Sequence, residues 1–199
     1  MAAPAGAKRT SMSTKRAVRL AAVALLAIVA GAPYQASAQG GVSSLPHSIG
    51  VGDEDLVLTS CGVSDTLLSD IYIVSLYLPW APPEQRPILD REGPRAVRID
   101  IVYDGDLPED VPSDWAERLT SVPAVHRKAI TRTYDHLRAH DVAVIGYAPD
   151  TGTTITVGDE IVAREAGSGL FETVLHLWMS NDPVSENVAQ GLVSGTCDG

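Results

Sequence analysis

The stretch Val142–Val157, VAVIGYAPDTGTTITV, constrains this chain more than any other. Two β-rich runs flank Ala148-Pro149-Asp150-Thr151-Gly152. Proline pre-sets one backbone angle and glycine supplies a positive one, so a loop of this kind between such runs predicts a β-hairpin, here placed at the centre of a sheet. A short strand at Glu160–Ala163 follows, then a break at Gly167–Gly169. Beyond it Leu170, Val174, Leu177 and Trp178 make a helical stripe, widened by Phe171 and Leu175, which predicts a deeply buried helix. Asp182-Pro183 reads as the cap and first residue of a last helix running through Val188 and Leu192. The hairpin therefore brings its own helical cover.

The preceding part supplies the rest of the sheet and a second pair of helices. Leu56–Leu58 reads as a short strand ended by a turn at Thr59–Ser64, which holds Cys61 and Gly62. Ile71–Leu78 is β-branched and aromatic on both faces, which predicts a central strand closed by Pro79. Five prolines between Pro79 and Pro94 indicate a surface connection. Val97, Ile99, Ile101 and Tyr103 alternate against Arg98 and Asp100, the period of a strand with one wetter face. DGDLPED, from Asp104 to Asp110, lacks the EF-hand spacing and reads as a solvated acidic loop. Ser113 or Asp114 can cap a helix that turns Trp115 and Leu119 inward. After Pro123, Val125, Ala129, Ile130, Tyr134 and Leu137 fall near helical spacing, opposite Arg127, Lys128, Asp135 and Arg138. Strands, helices, strands and helices in that order predict an α+β domain on an antiparallel sheet.

The first 38 residues read as a secretory signal peptide. Lys8, Arg9, Lys15, Arg16 and Arg19 precede an apolar run from Leu20 to Ala30, and Ala36-Ser37-Ala38 offers cleavage between Ala38 and Gln39. The apolar run is shorter than a bilayer span of about 20 residues. Residues 39–54 then form a Gly- and Ser-rich lead-in, and residues 55–199 one domain. The leader carries five of the 15 basic residues and none of the 25 acidic ones, so its removal leaves a formal charge of −15. Such a surface repels phosphate backbones and anionic lipids, which excludes nucleic acid and, after signal cleavage, the membrane as partners. Cys61 and Cys197 both lie beyond the leader, in an oxidising compartment, either bridged or as two free thiols.

The usual catalytic and cofactor motifs are missing. His136 and His140 stand at i, i+4 without a Glu in the H-E-x-x-H place or an evident third ligand, so no metal is expected. His176 reads as a half-buried polar residue on the late helix. Ser168 lacks the nucleophile elbow, and Gly167–Gly169 lacks the lysine and glycine spacing of a phosphate loop. No cofactor follows from these residues. Arg127, Lys128 and Arg132 form the one basic concentration of the mature chain; an arginine there could hold a carboxylate between helix and sheet, or the three could form a solvated helix face.

GVSDTLLSDIYIVSLYLPW, Trp115 with its helix, HDVAVIGYAPDTGTTITVGDEIV and GLFETVLHLWMSNDPVSENV resemble, in order and spacing, the bacterial secreted chalcone isomerase-like family. The Y-x-P-x-x-G-T turn and the L-W-x-x-x-x-P junction are the most specific parts, and the likeness covers roughly residues 56 to 193. It implies an open-faced β-sandwich, an antiparallel sheet with helices packed on one face. The plant enzymes of this superfamily close a flavanone ring, which requires a cation near the developing anion and hydrogen-bond donors around it. On that pattern Ser64 stands near the family's Arg, Tyr72 at a Thr, Val125 at a Tyr, Arg132 at an Asn and Leu177 at a Thr, so none of the five groups is kept. The resemblance therefore implies a periplasmic or secreted, non-catalytic protein that binds a small apolar or fatty-acid-like ligand. Tyr72, Arg132, Tyr134, Tyr147 and Leu177 are its expected ligand contacts. An intramolecular lyase working through Tyr72 and Arg132, and a cell-envelope protein-interaction module, are the alternatives. Oligomeric state is not encoded in any of these features.

Overall fold

Side-chain alternation builds one sheet. The computed structural model describes residues 45–65, 70–79 and 93–194. Within them seven strands pair antiparallel in a spatial order that repeats their chain order. They are β1 (Ser48–Val51), β2 (Glu54–Asp65), β3 (Asp70–Leu78), β4 (Arg95–Ile101), β5 (Val142–Ala148), β6 (Gly152–Val157) and β7 (Glu160–Glu165). The register aligns Leu76 with Val97, Val97 with Ile145, Ile145 with Ile155, and Ile155 with Ala163. That row runs across five strands, because a period of two puts every second residue on one face.

The helices cover this face. They are α1 (Ser113–Leu119), α2 (Ala124–His136), α3 (Gly169–Met179) and α4 (Glu186–Ser194). α3 buries Leu170, Phe171, Val174, Leu175, Leu177 and Trp178, each worth roughly 2 kcal/mol before the cost of ordering it. α4 lies against β2 so closely that a Cβ on Gly62 would come within 2.6 Å of the Val188 backbone. Glycine at this crossing is a requirement of backbone approach. A smaller cluster, Leu56, Tyr77 and Ala96 with Ile49, Val51, Leu58 and Val144, packs on the opposite face. There β1 curls back until Val51 meets Gly146 of β5.

The hairpin of Val142–Val157 forms as β5 and β6, paired from Ala143–Val157 to Ala148–Gly152, and Gly152 takes the positive φ of 76°. It sits beside the middle strand, β4, rather than at the centre of the sheet. β3 is flanked on both sides, as its two apolar faces predict. The α+β open-faced sandwich is the observed architecture.

Several local expectations are corrected. Thr59–Ser64 is no turn; Cys61 and Gly62 lie inside β2, which accommodates a register shift between Leu58 and Ser60. A bulge lets one strand absorb polar Thr59 and Ser60 and continue, a possibility that composition alone hides. The stretch read as lead-in contains β1, held by pairing to β2 from Ser48–Val57 to Val51–Glu54. α1 and α2 begin behind Pro112 and Pro123 with no side-chain cap, and the two proline carbonyls accept from Ala116 and Arg127. α4 starts at Glu186 rather than at Asp182-Pro183, because the Asp182 carboxylate is held by Arg118 and the Val184 N–H returns to the Leu177 carbonyl. His176 is exposed rather than half-buried. The leader, most of the Pro79–Pro94 connection and Cys197 lie outside the described residues.

Candidate functional site

A cavity of about 340 Å³ lies between the sheet and its helical cover. Its floor is Ile99 and Ile101 of β4, Ile145 of β5 and Ile155 of β6, all projecting from the buried face. Ile130 and Thr133 of α2, with Leu137 at its C-cap, make one wall, and Val174 and Leu177 of α3 another. The mouth is framed by Tyr103, Leu107, Pro108 and Pro112, with Asp106 at the edge. DGDLPED is therefore more than a solvated loop: Leu107 packs against the core while its acids stay exposed. The sequence signal for this was present in Leu107, Pro108, Val111 and Pro112, apolar positions threaded between the charges.

Three of the hydroxyls facing this space, those of Thr133, Tyr134 and Tyr72, have partners within the protein. The Thr133 hydroxyl donates to the Ala129 carbonyl of its own helix at 2.9 Å, which leaves its methyl for the cavity. Tyr134 donates to the Pro108 carbonyl at 2.9 Å and so ties the mouth loop to α2. The Tyr72 hydroxyl accepts from the Trp178 indole N–H at 3.5 Å. Burial is the main cause that raises the pKa of Tyr72, with nearby Asp114 adding to it and hydrogen bonds from Ser64, Trp178 and Trp115 opposing it. Burial likewise raises Tyr134, helped by Asp110. Both phenols are therefore neutral at ordinary pH.

Tyr72, Trp115 and Trp178 form an aromatic end wall. Trp115 meets Tyr72 at 6.0 Å and Trp178 at 5.6 Å between ring centroids, both edge to face, the favoured geometry for aromatic pairs. Behind this wall lies a more polar groove lined by Ser64, Asp65, Asp114, Glu186 and Asn187, in which Asn187 donates to Asp65 at 2.5 Å.

Of the residues expected to touch a ligand, Tyr72, Tyr134 and Leu177 line the cavity. Arg132 does not; it is exposed on the outer face of α2 together with Arg127 and Lys128. Tyr147 is on the helical face but stacks near Phe171 at 6.4 Å and under the Arg95 guanidinium at 5.3 Å, away from the cavity lining. Val125 is 66% exposed. The structure thus brings Tyr72 and Leu177 to one space and leaves Arg132 and Val125 out of it. Arg95, only 3% exposed and paired with Glu172 at 3.2 Å, is an inward-facing cation that sequence reasoning missed. Its place in the alternation with Val97 and Ile99 was the available signal.

His136 and His140 do not converge. His136 approaches Glu160 at 3.9 Å and His140, at φ 65° beyond the helix end, pairs with Asp104 at 3.3 Å. No cluster of three or more metal-ligating side chains is present among the described residues. Cys61 is disulfide-bonded; the other cysteine of the chain, Cys197, lies three residues past the end of α4, which packs on Cys61. No helix among the described residues is long and apolar enough to cross a membrane.

Three comparisons with known proteins bear on this arrangement. The profile of the family described as chalcone isomerase-like matches residues 36–194. No curated protein matches in sequence. Among solved structures, the crystal structure of a fatty-acid binding protein from Arabidopsis thaliana is similar, with a TM-score of 0.50 and 15% identity, over 77% of this chain and 92% of that one. A likeness at that identity is one of fold.

Proposed function

The chain belongs to the chalcone isomerase-like family, and from that premise we propose that it is a non-catalytic binder of one small apolar or fatty-acid-like molecule, held in the cavity between sheet, α2 and α3. The observation that carries this reading is a cavity of about 340 Å³ with a mostly apolar lining, in which the hydroxyls of Tyr72, Thr133 and Tyr134 are engaged within the protein. Binding sites of this size are mostly apolar and largely preformed. An acyl chain burying eight methylenes would gain roughly 6 kcal/mol at about 0.8 kcal/mol each. Association costs take part of that, so affinity on the order of 0.1 mM or weaker is expected for such a chain. The fold shared with a fatty-acid binding protein supports the same reading.

Ring closure of the chalcone type needs fixed positive charge where the anion develops. No Lys or Arg lines the cavity among the described residues, and Arg132 stands outside it. We read residues 1–38 as a leader cut between Ala38 and Gln39, so that the domain acts in a bacterial periplasm or outside the cell; a disulfide at Cys61 suits such a compartment. Intact-mass measurement of the protein expressed with its leader checks the cut.

Native mass spectrometry of the gently purified mature chain tests the main reading. The expected result is a co-purified mass of a few hundred daltons and a rise in melting temperature when decanol or decanoate is added. A bare mass with no shift from either compound would end it. Chalcone cyclisation should proceed no faster than in buffer.

A further inference from the structure

The fatty-acid-like reading leaves open whether the ligand carries charge. We propose that the occupant is electrically neutral, a long-chain alcohol, ester or comparable uncharged lipid, because among the described residues the apolar cavity presents no Lys or Arg and its rim is acidic. This rests on the ligand-binding reading above and names the class of molecule for that same cavity.

Every element around the cavity agrees on the point. β4, β5 and β6 contribute isoleucines, α3 contributes Val174 and Leu177, and α1 contributes Trp115. From α2 and its C-cap come Ile130, Thr133, Tyr134 and Leu137, while Arg127, Lys128 and Arg132 of the helix and Arg138 just beyond it are all exposed. The charged residue that does line the space is Asp106. Asp104, Glu109 and Asp110 stand exposed on the same loop, and Asp65, Asp114 and Glu186 occupy the groove behind the aromatic wall. The basic residues Arg86 and Arg91 belong to the connection outside the described residues. That connection leaves β3 after Leu78 and enters β4 at Arg95. Arg95 is itself held there by Glu172 and the Tyr147 and Phe171 rings.

A carboxylate entering this cavity would lose its water and meet carboxylates at the mouth, with no Lys or Arg among the described lining residues to offset either effect. The raised pKa values of Tyr72 and Tyr134 fit the same surroundings, since burial and acidic neighbours oppose a negative charge there. An uncharged chain incurs neither penalty. A single hydroxyl or ester can remain at the mouth beside Asp106 or be met by water.

The test compares two probes of equal chain length, 1-decanol and decanoate, by calorimetric titration of the delipidated mature chain at pH 8 and pH 5. Decanol should bind at least about ten-fold more tightly than decanoate at pH 8. Decanoate affinity should rise steeply toward pH 5, because its carboxyl protonates near about pH 4 to 5 and only the neutral acid suits the cavity. Decanol affinity should be nearly constant. Equal or tighter binding of decanoate at pH 8 would overturn the neutral-ligand inference and leave the ligand-binding reading standing. Failure of both probes at both pH values would overturn the two together.

Discussion

The Trp178 indole N–H donates to the Tyr72 hydroxyl across 3.5 Å, joining α3 to β3 at the end of the cavity. That bond is long, and the two rings also pack at 6.4 Å. Tyr72→Phe keeps the packing and removes only the acceptor. It should cost about 1 to 2 kcal/mol in urea unfolding, since the indole N–H of fully buried Trp178 loses its partner. It should also alter tryptophan fluorescence while leaving decanol affinity within a factor of about three. A loss of binding larger than that would mean the hydroxyl contacts the ligand directly.

Ile130 faces the cavity from α2 and is 5% exposed. In a filled core, Ile130→Trp would overpack at a cost of about 1 to 3 kcal/mol. Here the indole has empty space to occupy. The expected outcome is an unchanged or higher melting temperature together with at least about ten-fold weaker decanol binding. Preserved binding would place the ligand elsewhere.

Gly191 of α4 rests on the Cys61 carbonyl and the Gly62 Cα. Alanine in a helix is normally favoured over glycine by about 1 kcal/mol. At this position the added methyl meets backbone, which cannot rotate away, so Gly191→Ala should instead destabilise by about 1 to 3 kcal/mol. Gly50→Ala is the control, because a Cβ there meets nothing within 4 Å. Chemical denaturation of both variants checks the difference.

Tyr77 is fully buried under the curled edge of the sheet and donates to the Pro46 carbonyl at 2.9 Å. Burial pushes its pKa from 10.0 up to about 12, with Asp100 adding to the shift and Arg98 opposing it. A folded-state value above the unfolded one means that the folded chain holds its proton more tightly. The associated stability is complete below pH 10 and is lost as pH rises toward 12, to a total on the order of 2 kcal/mol. Unfolding midpoints between pH 9 and 12 should fall, and Tyr77→Phe should flatten that fall while costing about 1 kcal/mol at pH 7 for the lost hydrogen bond.

The reach of the sequence was set by periodicity. Ile71–Leu78, Val142–Val157 and the α3 stripe repeat at strand or helix spacing and give their elements directly. β2 defeats that approach because Thr59 and Ser60 interrupt it and a bulge repairs it in three dimensions. The same holds for the site. Tyr72, Tyr134 and Leu177 were reachable through their elements, whereas Arg132 faces outward because α2 presents Ile130 and Thr133 to the sheet. The contribution of Leu107 and Pro108 depends on a loop folding back over a cavity, which no local spacing encodes.

The identity of spatial and chain order in the sheet has a consequence for how the molecule assembles. Each strand finds its partner in the segment just made, so the sheet can grow by adding one neighbour at a time with modest loop-closure cost. Docking α4 on β2 is different: Gly191 and Gly62 are separated by roughly 130 residues, and closing that distance is the most expensive contact in entropy. On this argument the last helix is expected to seal a sheet that is already paired, fastening the two ends of the fold together as the closing step.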